Sequence, residues 1–415
     1  METTSNHLPL GNSRSYHRHQ PENTTLYPIV EQHLSSLQDE LRHHETYLPR
    51  FVLNEFEDYL RCGRLEHGFL RVKCNGCRHE HLVAFSCKRR GFCPSCGARR
   101  MIETSSHLVD HVIPQVPTRQ WVLTFPLPLR LLFASQPDTL SRVLAVVIRA
   151  IETDLIHRTG LTRRAHARTG VVTLIQRFGS ALNLNVHLHM IVLDGVYTEH
   201  NGQARFHPVG APPRKTLERL LDRLITRTLR ILLRDGVLTE DPEQPWLDLQ
   251  DPDTLDQLTA ASVRYRIAIG PGAGQRTLTL RDPALVQPAE QSAPKPFTVN
   301  RDGFSLNAAP SPLTGRFSTS PRLPGTSVPL HYPPGNSFCA AKRRTPPKIR
   351  EPPAFSRFGK TREVPLTTDP SSLFTQADFI SRLAALIPRP RHDLTRFHHV
   401  FEPSAPLRRL LGFSG

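Results

Sequence analysis

Six of the seven cysteines in this chain fall between Cys62 and Cys96. Within that run, Cys74-x2-Cys77 and Cys93-x2-Cys96 are separated by fifteen residues, a spacing that lets four thiolates close tetrahedrally on one Zn2+. Thiolate suits zinc because it is soft and because the metal itself displaces the thiol proton. Cys62 and Cys87 are surplus to this quartet, and Cys87, His79 or His81 can replace one of its members. A redox CxxC needs a single motif beside a βαβ pattern. Two motifs in a basic loop point to structural metal instead. Lys88, Arg89, Arg90, Arg99 and Arg100 lie in the same stretch, five cations within thirteen residues. They are expected to contact DNA phosphates, the plainer alternative being a solvated charged face.

A second set of metal-ligand side chains sits in NLNVHLHMIVLDG, residues 183–195. On a strand, residues i and i+2 share a face, so His187 and His189 project together while Val186, Leu188 and Met190 turn to the core. Two imidazoles side by side make half of a divalent-metal site, of the kind that polarises a phosphodiester for in-line attack. The chain has two further His-x-His pairs, His17/His19 in a polar N-terminal stretch and His79/His81 in the cysteine loop. Only the third pair falls in an alternating strand. From the residues alone, a packed or exposed histidine pair remains the alternative.

The elements that must position these residues follow from periodicity. Residues 1–25 are polar and expected to be disordered. Helices are expected from Tyr27, over Leu48–Leu60 and over Ala98–Ile113, the last stopped by Pro114. A strand at 119–126 precedes a long helix, capped by Asp138, that ends before Gly160. Strands at 170–178 and 185–193 form a hairpin, and a second hairpin, Val196–Val209, turns at Asn201-Gly202. Leu217, Leu220, Leu221, Leu224, Ile225 and Leu232 then mark one helix face, with Arg219, Arg223, Arg227, Arg230 and Arg234 along the other. The fold class is therefore α+β: an N-terminal helical and zinc-ribbon module, then an antiparallel-sheet core with helices on one face. From about Ala309 to Ser372 proline, Ser, Thr, Arg and Lys dominate without an apolar period, and this segment is expected to be disordered. An amphipathic helix returns at Ala377–Ile387.

The totals restrict function. With 53 Lys+Arg against 37 Asp+Glu the formal charge is +16, which asks for a polyanion such as nucleic acid. The first twenty residues have no apolar core, so a cytosolic protein is expected, with no membrane partner and no small-molecule substrate.

From Tyr27 to Asp282 the chain resembles the rolling-circle insertion-sequence transposases of the ninety-one family. The stretches that carry the likeness are CRHEHLVAFSCKRRGFCPSCGARR (77–100), RQWVLTFPLPLR (119–130) and NLNVHLHMIVLDGVY (183–197). It resumes at ADFISRLAALIPRPRHDLTRFHHVFEP (377–403). The resemblance implies a zinc-binding DNA-recognition domain at 26–117, a His-hydrophobic-His nuclease core at 118–308 and a C-terminal family segment at 373–415. It implies that His187 and His189 bind a catalytic Mg2+ or Mn2+, with Gln176 a candidate third ligand. It further implies a tyrosine nucleophile acting on DNA, single-stranded or at element ends.

That tyrosine is expected on a helix between the core and the C-terminal segment. The proline-rich segment 309–372 holds only Tyr332, followed by Pro333 and Pro334, which oppose helix. Tyr265, in the strand-like SVRYRIAIG, is a second candidate, and Tyr197 reads as structural. One hypothesis is that 309–372 is translated in a shifted frame. It fails if neither other frame of the gene encodes a helical, tyrosine-bearing segment. The competing functions are a transposase that nicks and joins single-stranded DNA and a non-catalytic DNA-binding remnant or repressor of related elements.

Overall fold

The computed structural model describes residues 20–73, 75–76, 80–161, 166–179, 182–238, 253–270, 272–276, 296–310 and 375–412. Most of the tail 1–25, nearly all of the segment 309–372 with Tyr332, and Cys74, Cys77 and His79 lie outside the described residues.

The N-terminal helices are built on apolar residues three and four apart. Helix α1 (Leu26–His43) buries Tyr27, Val30, Leu34, Leu37 and Leu41, and α2 (Arg50–Arg61) buries Val52, Phe56 and Tyr59. A short hairpin, β1 (Phe69–Lys73) and β2 (Glu80–Ala84), follows, and the chain then enters α3 (Pro94–His107). A wider helical turn, Leu108–Val112, continues α3 before Pro114.

The main sheet has six antiparallel strands in the order β10-β4-β5-β3-β9-β8. These are β3 (Thr118–Thr124), β4 (Gly170–Phe178), β5 (Leu184–Leu193), β8 (Thr298–Arg301), β9 (Phe304–Pro310) and β10 (Thr395–His399). Helices α4 (Leu127–Ser135), α5 (Pro137–Arg158) and α6 (Arg214–Arg234) cover one face. Their apolar residues share one core with Trp121 and Leu123 of β3 and Val186, Leu188, Met190 and Val192 of β5. The hairpin β6 (Gly195–His200) and β7 (Gln203–Pro208) extends from β5, and its turn residues Asn201 and Gly202 both have positive φ, as a type I′ turn requires.

Several elements depart from the periodicity reading. Helix α4 and helix α7 (Thr254–Val263) are additional, and so are β1, β2, β8, β9 and β10. Asp138 does not cap α5: Pro137 opens the helix and Asp138 sits in its first turn, where it favours the positive end of the helix dipole. SVRYRIAIG is not a strand. Its first residues end α7, and Tyr265 follows in a turn at φ +56°. Strand β9 runs to Pro310, so order continues past Ala309, and residues 20–25 hold a short 3-10 turn, Pro21–Asn23.

The C-terminal segment ties the molecule together. Ile380, Leu383, Ala384 and Ala385 of α8 (Gln376–Leu386), with Leu255 and Leu258 of α7, share a core with α1, α2, Cys93 and Cys96. Strand β10 adds an edge to the main sheet, and Leu407 of α9 (Pro406–Leu410) packs beside Leu108, Val172 and Tyr197. Gly170 permits this closure, since a Cβ there would lie 2.6 Å from the Phe401 ring. Among the described residues no single helix is long and apolar enough to cross a membrane.

Candidate metal centres and nucleic-acid interface

Four cysteines meet at one point. Cys62 ends α2, Cys87 follows β2, Cys93 caps α3 and Cys96 lies in its first turn. Their Sγ atoms all lie within 4.8 Å of one another. The separations are 3.7 Å for Cys62–Cys96, 3.4 Å for Cys87–Cys96 and 3.8 Å for Cys93–Cys62. A tetrahedron with Zn–S bonds of about 2.3 Å has edges of about 3.8 Å, so the quartet matches zinc in both donor type and size. Hydrogen bonds among the thiols hold Cys62 and Cys96 below the usual thiol range and push Cys87 and Cys93 above it. A divalent cation would neutralise the set and let all four ionise. Phe92 packs against the same core, its ring tilted 4.7 Å from Phe56 and edge-on 5.2 Å from Tyr59.

Cys93 and Cys96 of the second CxxC motif are in the quartet; with them are Cys87, expected above as a replacement ligand, and Cys62, expected to be surplus. Cys74 and Cys77 lie outside the described residues, and His81 sits in β2, apart from the four. The CxxC motif draws attention to paired cysteines; the signal for Cys62 was its place at the end of an amphipathic helix, which only a tertiary contact makes meaningful.

The five basic residues of the module are largely committed to protein partners. Arg89 pairs with Asp58 at 2.5 Å, and Arg90 donates to the His392 carbonyl at 2.8 Å. Arg100 donates to the carbonyls of Lys88 and Arg89, and Arg99 pairs with Glu103 at 2.9 Å. Lys88 and Arg99 are the exposed members.

His187 and His189 stand on the same face of β5, opposite the residues that enter the helical core. Their ring centroids are 4.8 Å apart. The antiparallel register sets Gln176 of β4 and Thr124 of β3 beside His187, and Leu174 and Val122 beside His189. His187 Nδ1 lies 2.7 Å from the Asn185 carbonyl, which fixes a proton on Nδ1 and frees Nε2 as a ligand. Gln120 Nε2 donates to His189 Nδ1 at 3.1 Å, which places the proton of the neutral His189 ring on Nε2; the Gln120 amide must turn over for that Nε2 to bind an ion. Burial lowers both histidine pKa values, that of His189 to about 4 with the neighbouring His187 adding to the effect. A neutral imidazole is the form that binds a cation, and His187 presents it with Nε2 free. Gln176 donates through Nε2 to the Phe178 carbonyl at 3.2 Å, so its Oε1 is the atom available to an ion.

Asp194, just past this strand, is structural. It receives two bonds from Arg119, at 2.8 and 2.7 Å, while Arg119 also reaches the Ala308 carbonyl at 3.0 Å, binding β3, β5 and β9 together. Tyr197 is buried against Phe206 and packs the hairpin. Tyr265 is half-buried, and both it and His187 lie within the electrostatic reach of Arg130.

Two family models match parts of the chain. Residues 29–125 match the family model "Transposase zinc-binding domain", and residues 170–297 match the model "Putative transposase". No curated protein and no solved structure matches the chain. The first match contains Cys62, Cys87, Cys93 and Cys96, and the second contains the imidazole-bearing strand β5. The chain belongs with the insertion-sequence transposases of the ninety-one type, a family that acts in DNA transposition.

Proposed function

We propose that the protein nicks and rejoins one strand of DNA, the four-thiol module holding a structural zinc and the β5 histidines binding a catalytic divalent ion. The observation that carries this reading is the pair of neutral imidazoles 4.8 Å apart on one face of one strand. When bound there, Mg2+ or Mn2+ would supply charge to a phosphate oxygen and to the departing 3′ oxygen. His187 and His189 would hold the site, Gln176 would offer an amide oxygen, and the β-ladder would fix their spacing.

In the reaction a tyrosine Oη, having released its proton, attacks phosphorus. The P–O3′ bond breaks, the 3′ oxygen takes up a proton, and a 5′-phosphotyrosyl bond keeps the energy for rejoining. Two tyrosines are candidates. Tyr332 is the one favoured by position in the chain, and Tyr265, half-buried in the turn after α7, is the other. The test is a denaturing gel for a protein–oligonucleotide adduct with and without Mg2+ or Mn2+. A metal-dependent adduct lost in either Tyr265→Phe or Tyr332→Phe identifies the nucleophile.

A second reading, a DNA-binding remnant or repressor without strand transfer, is favoured by one observation. Of the other described tyrosines, Tyr27, Tyr59 and Tyr197 are buried in cores, and Tyr47 lies exposed after α1. Absence of any adduct from protein that binds DNA and carries zinc supports this reading over the first.

A further inference from the structure

Helix α6 carries a feature that neither metal centre uses. Leu217, Leu220, Leu221, Leu224, Ile225 and Leu232 face the core. On the opposite side, at spacings of three and four, run Lys215, Arg219, Arg223, Arg227, Arg230 and Arg234. Lys215, Arg219, Arg230 and Arg234 are exposed, and Arg223 and Arg227 are half-buried. The two acidic residues of the helix stand on one flank and are occupied, Glu218 by Arg214 and Asp222 by Arg301. Among the described residues Lys215, Arg219, Arg223, Arg227 and Arg230 form no ion pair. A row of like charges one helical turn apart is self-repulsive, and Asp154 of α5 offsets it only at Arg219 and Arg223, so an external anion would stabilise the rest.

The neighbouring helix widens the row. Arg142 of α5 pairs with Asp235 at 2.7 Å, and Asp154 at the other end of α5 lies in the field of Arg219 and Arg223, so the two helices run antiparallel. Arg149, halfway along α5, is exposed and bonded only to a carbonyl of its own helix.

We propose that the outer face of α6 is a second DNA-binding surface that grips the backbone of duplex DNA regardless of sequence. The helix is 21 residues long, about 31 Å, which matches about nine base-pair steps of duplex. It contains no aromatic residue, and surfaces that hold single strands use aromatic rings as stacking platforms. Duplex backbone is therefore the occupant that fits. The row lies on the helical side of the sheet, whereas His187 and His189 lie on the other, so it holds a DNA segment distinct from the one at the imidazoles. The inference rests on DNA being the ligand of the family, and it does not need the chain to cut DNA.

The test measures binding of the full chain to a short random-sequence duplex over a range of salt. The variant Arg219→Gln/Arg223→Gln/Arg230→Gln is expected to reduce the slope of log K against log salt by about 0.9 per lost phosphate contact, about 2.7 in all, equally for unrelated sequences. The triple Lys variant at the same positions is expected to restore the slope, which separates lost charge from lost fold. An unchanged slope in the Gln variant, or failure of the wild-type chain to bind duplex at low salt, overturns the proposal. Single-strand adduct formation is read in parallel: its loss from the wild type with the slope effect intact sinks the nuclease reading and leaves the α6 surface standing.

Discussion

Cys62, Cys87, Cys93 and Cys96 come from the end of one helix, a loop and the start of another, whereas His187 and His189 are next-but-one neighbours on a single strand. The quartet offers four donors and leaves no coordination position empty, which is the form of a structural zinc site. The imidazole pair offers two and leaves the rest of the shell to water or substrate, which is the form of a site that does chemistry. The difference also concerns what holds each together. The thiols come from separate elements that an ion would tie together beside the core of α1, α2, α7 and α8, and the imidazoles are held by one backbone ladder.

The largest effect should therefore come from the thiols. Cys62→Ser is expected to release the single zinc and unfold the module, because structural zinc supplies about 10–16 kcal/mol of binding energy to its fold. Zinc content by atomic emission and protection of 62–107 from protease check this. Retention of one zinc by Cys62→Ser, with loss in Cys74→Ser, would break the comparison by returning the ligand set to the paired CxxC motifs.

The sheet offers the second test. Asp194→Ala strands Arg119 as a buried unpaired charge, and such losses cost about 3–5 kcal/mol. Urea denaturation of the zinc-loaded protein is expected to show it in the sheet while the module keeps its metal. A change below about 1 kcal/mol would mean that the Arg119–Asp194 pair does not brace the strands.

How far the sequence reached differs between the two regions for the same physical reason. Strand β5 was legible because period-two alternation fixes both its secondary structure and the common direction of His187 and His189. The helices α1, α2, α5 and α6 were legible from leucine spacing. The thiol quartet was only half legible, since nothing local tells Cys62 that Cys87 will meet it across a hairpin. Strands β8 and β10 escaped for a related reason: short edge strands carry little alternation of their own and are defined by pairing with β9 and β4. Helix α7 was hidden because its apolar residues, Leu255, Leu258 and Val263, are few, and its clearest signal is the capping box of Asp253 and Asp256.

Removing an imidazole should leave the fold and abolish the chemistry. His187→Ala and His189→Ala are expected to keep zinc and the duplex affinity of the chain, while metal-dependent strand cleavage falls by about 10²–10³. Cleavage rates on a labelled single strand measure this. Equal rates in both variants and wild type would remove the pair from catalysis.

The smallest effect separates the two regions by acidity. Burial lowers His187, takes His189 and His398 to about 4, and leaves His398 Nε2 without a hydrogen-bond partner. A histidine depressed by folding is neutral in the native sheet and protonated more readily in the unfolded chain. Its contribution is complete above the ordinary value of 6.5 and is lost as pH falls from there toward 4. The zinc module loses stability in acid by another route, protonation of thiolates and release of the ion. Circular dichroism of the sheet against pH, read beside zinc release to a chromophoric chelator, distinguishes the two. The variant His189→Gln/His398→Gln is expected to flatten the acid limb of the sheet transition and to leave the zinc-release curve in place. If both curves move together, the imidazole strand and the thiol module unfold as one unit, bridged by the shared packing of α8 and β10, and the contrast between an independent frame and a metal-dependent one no longer holds.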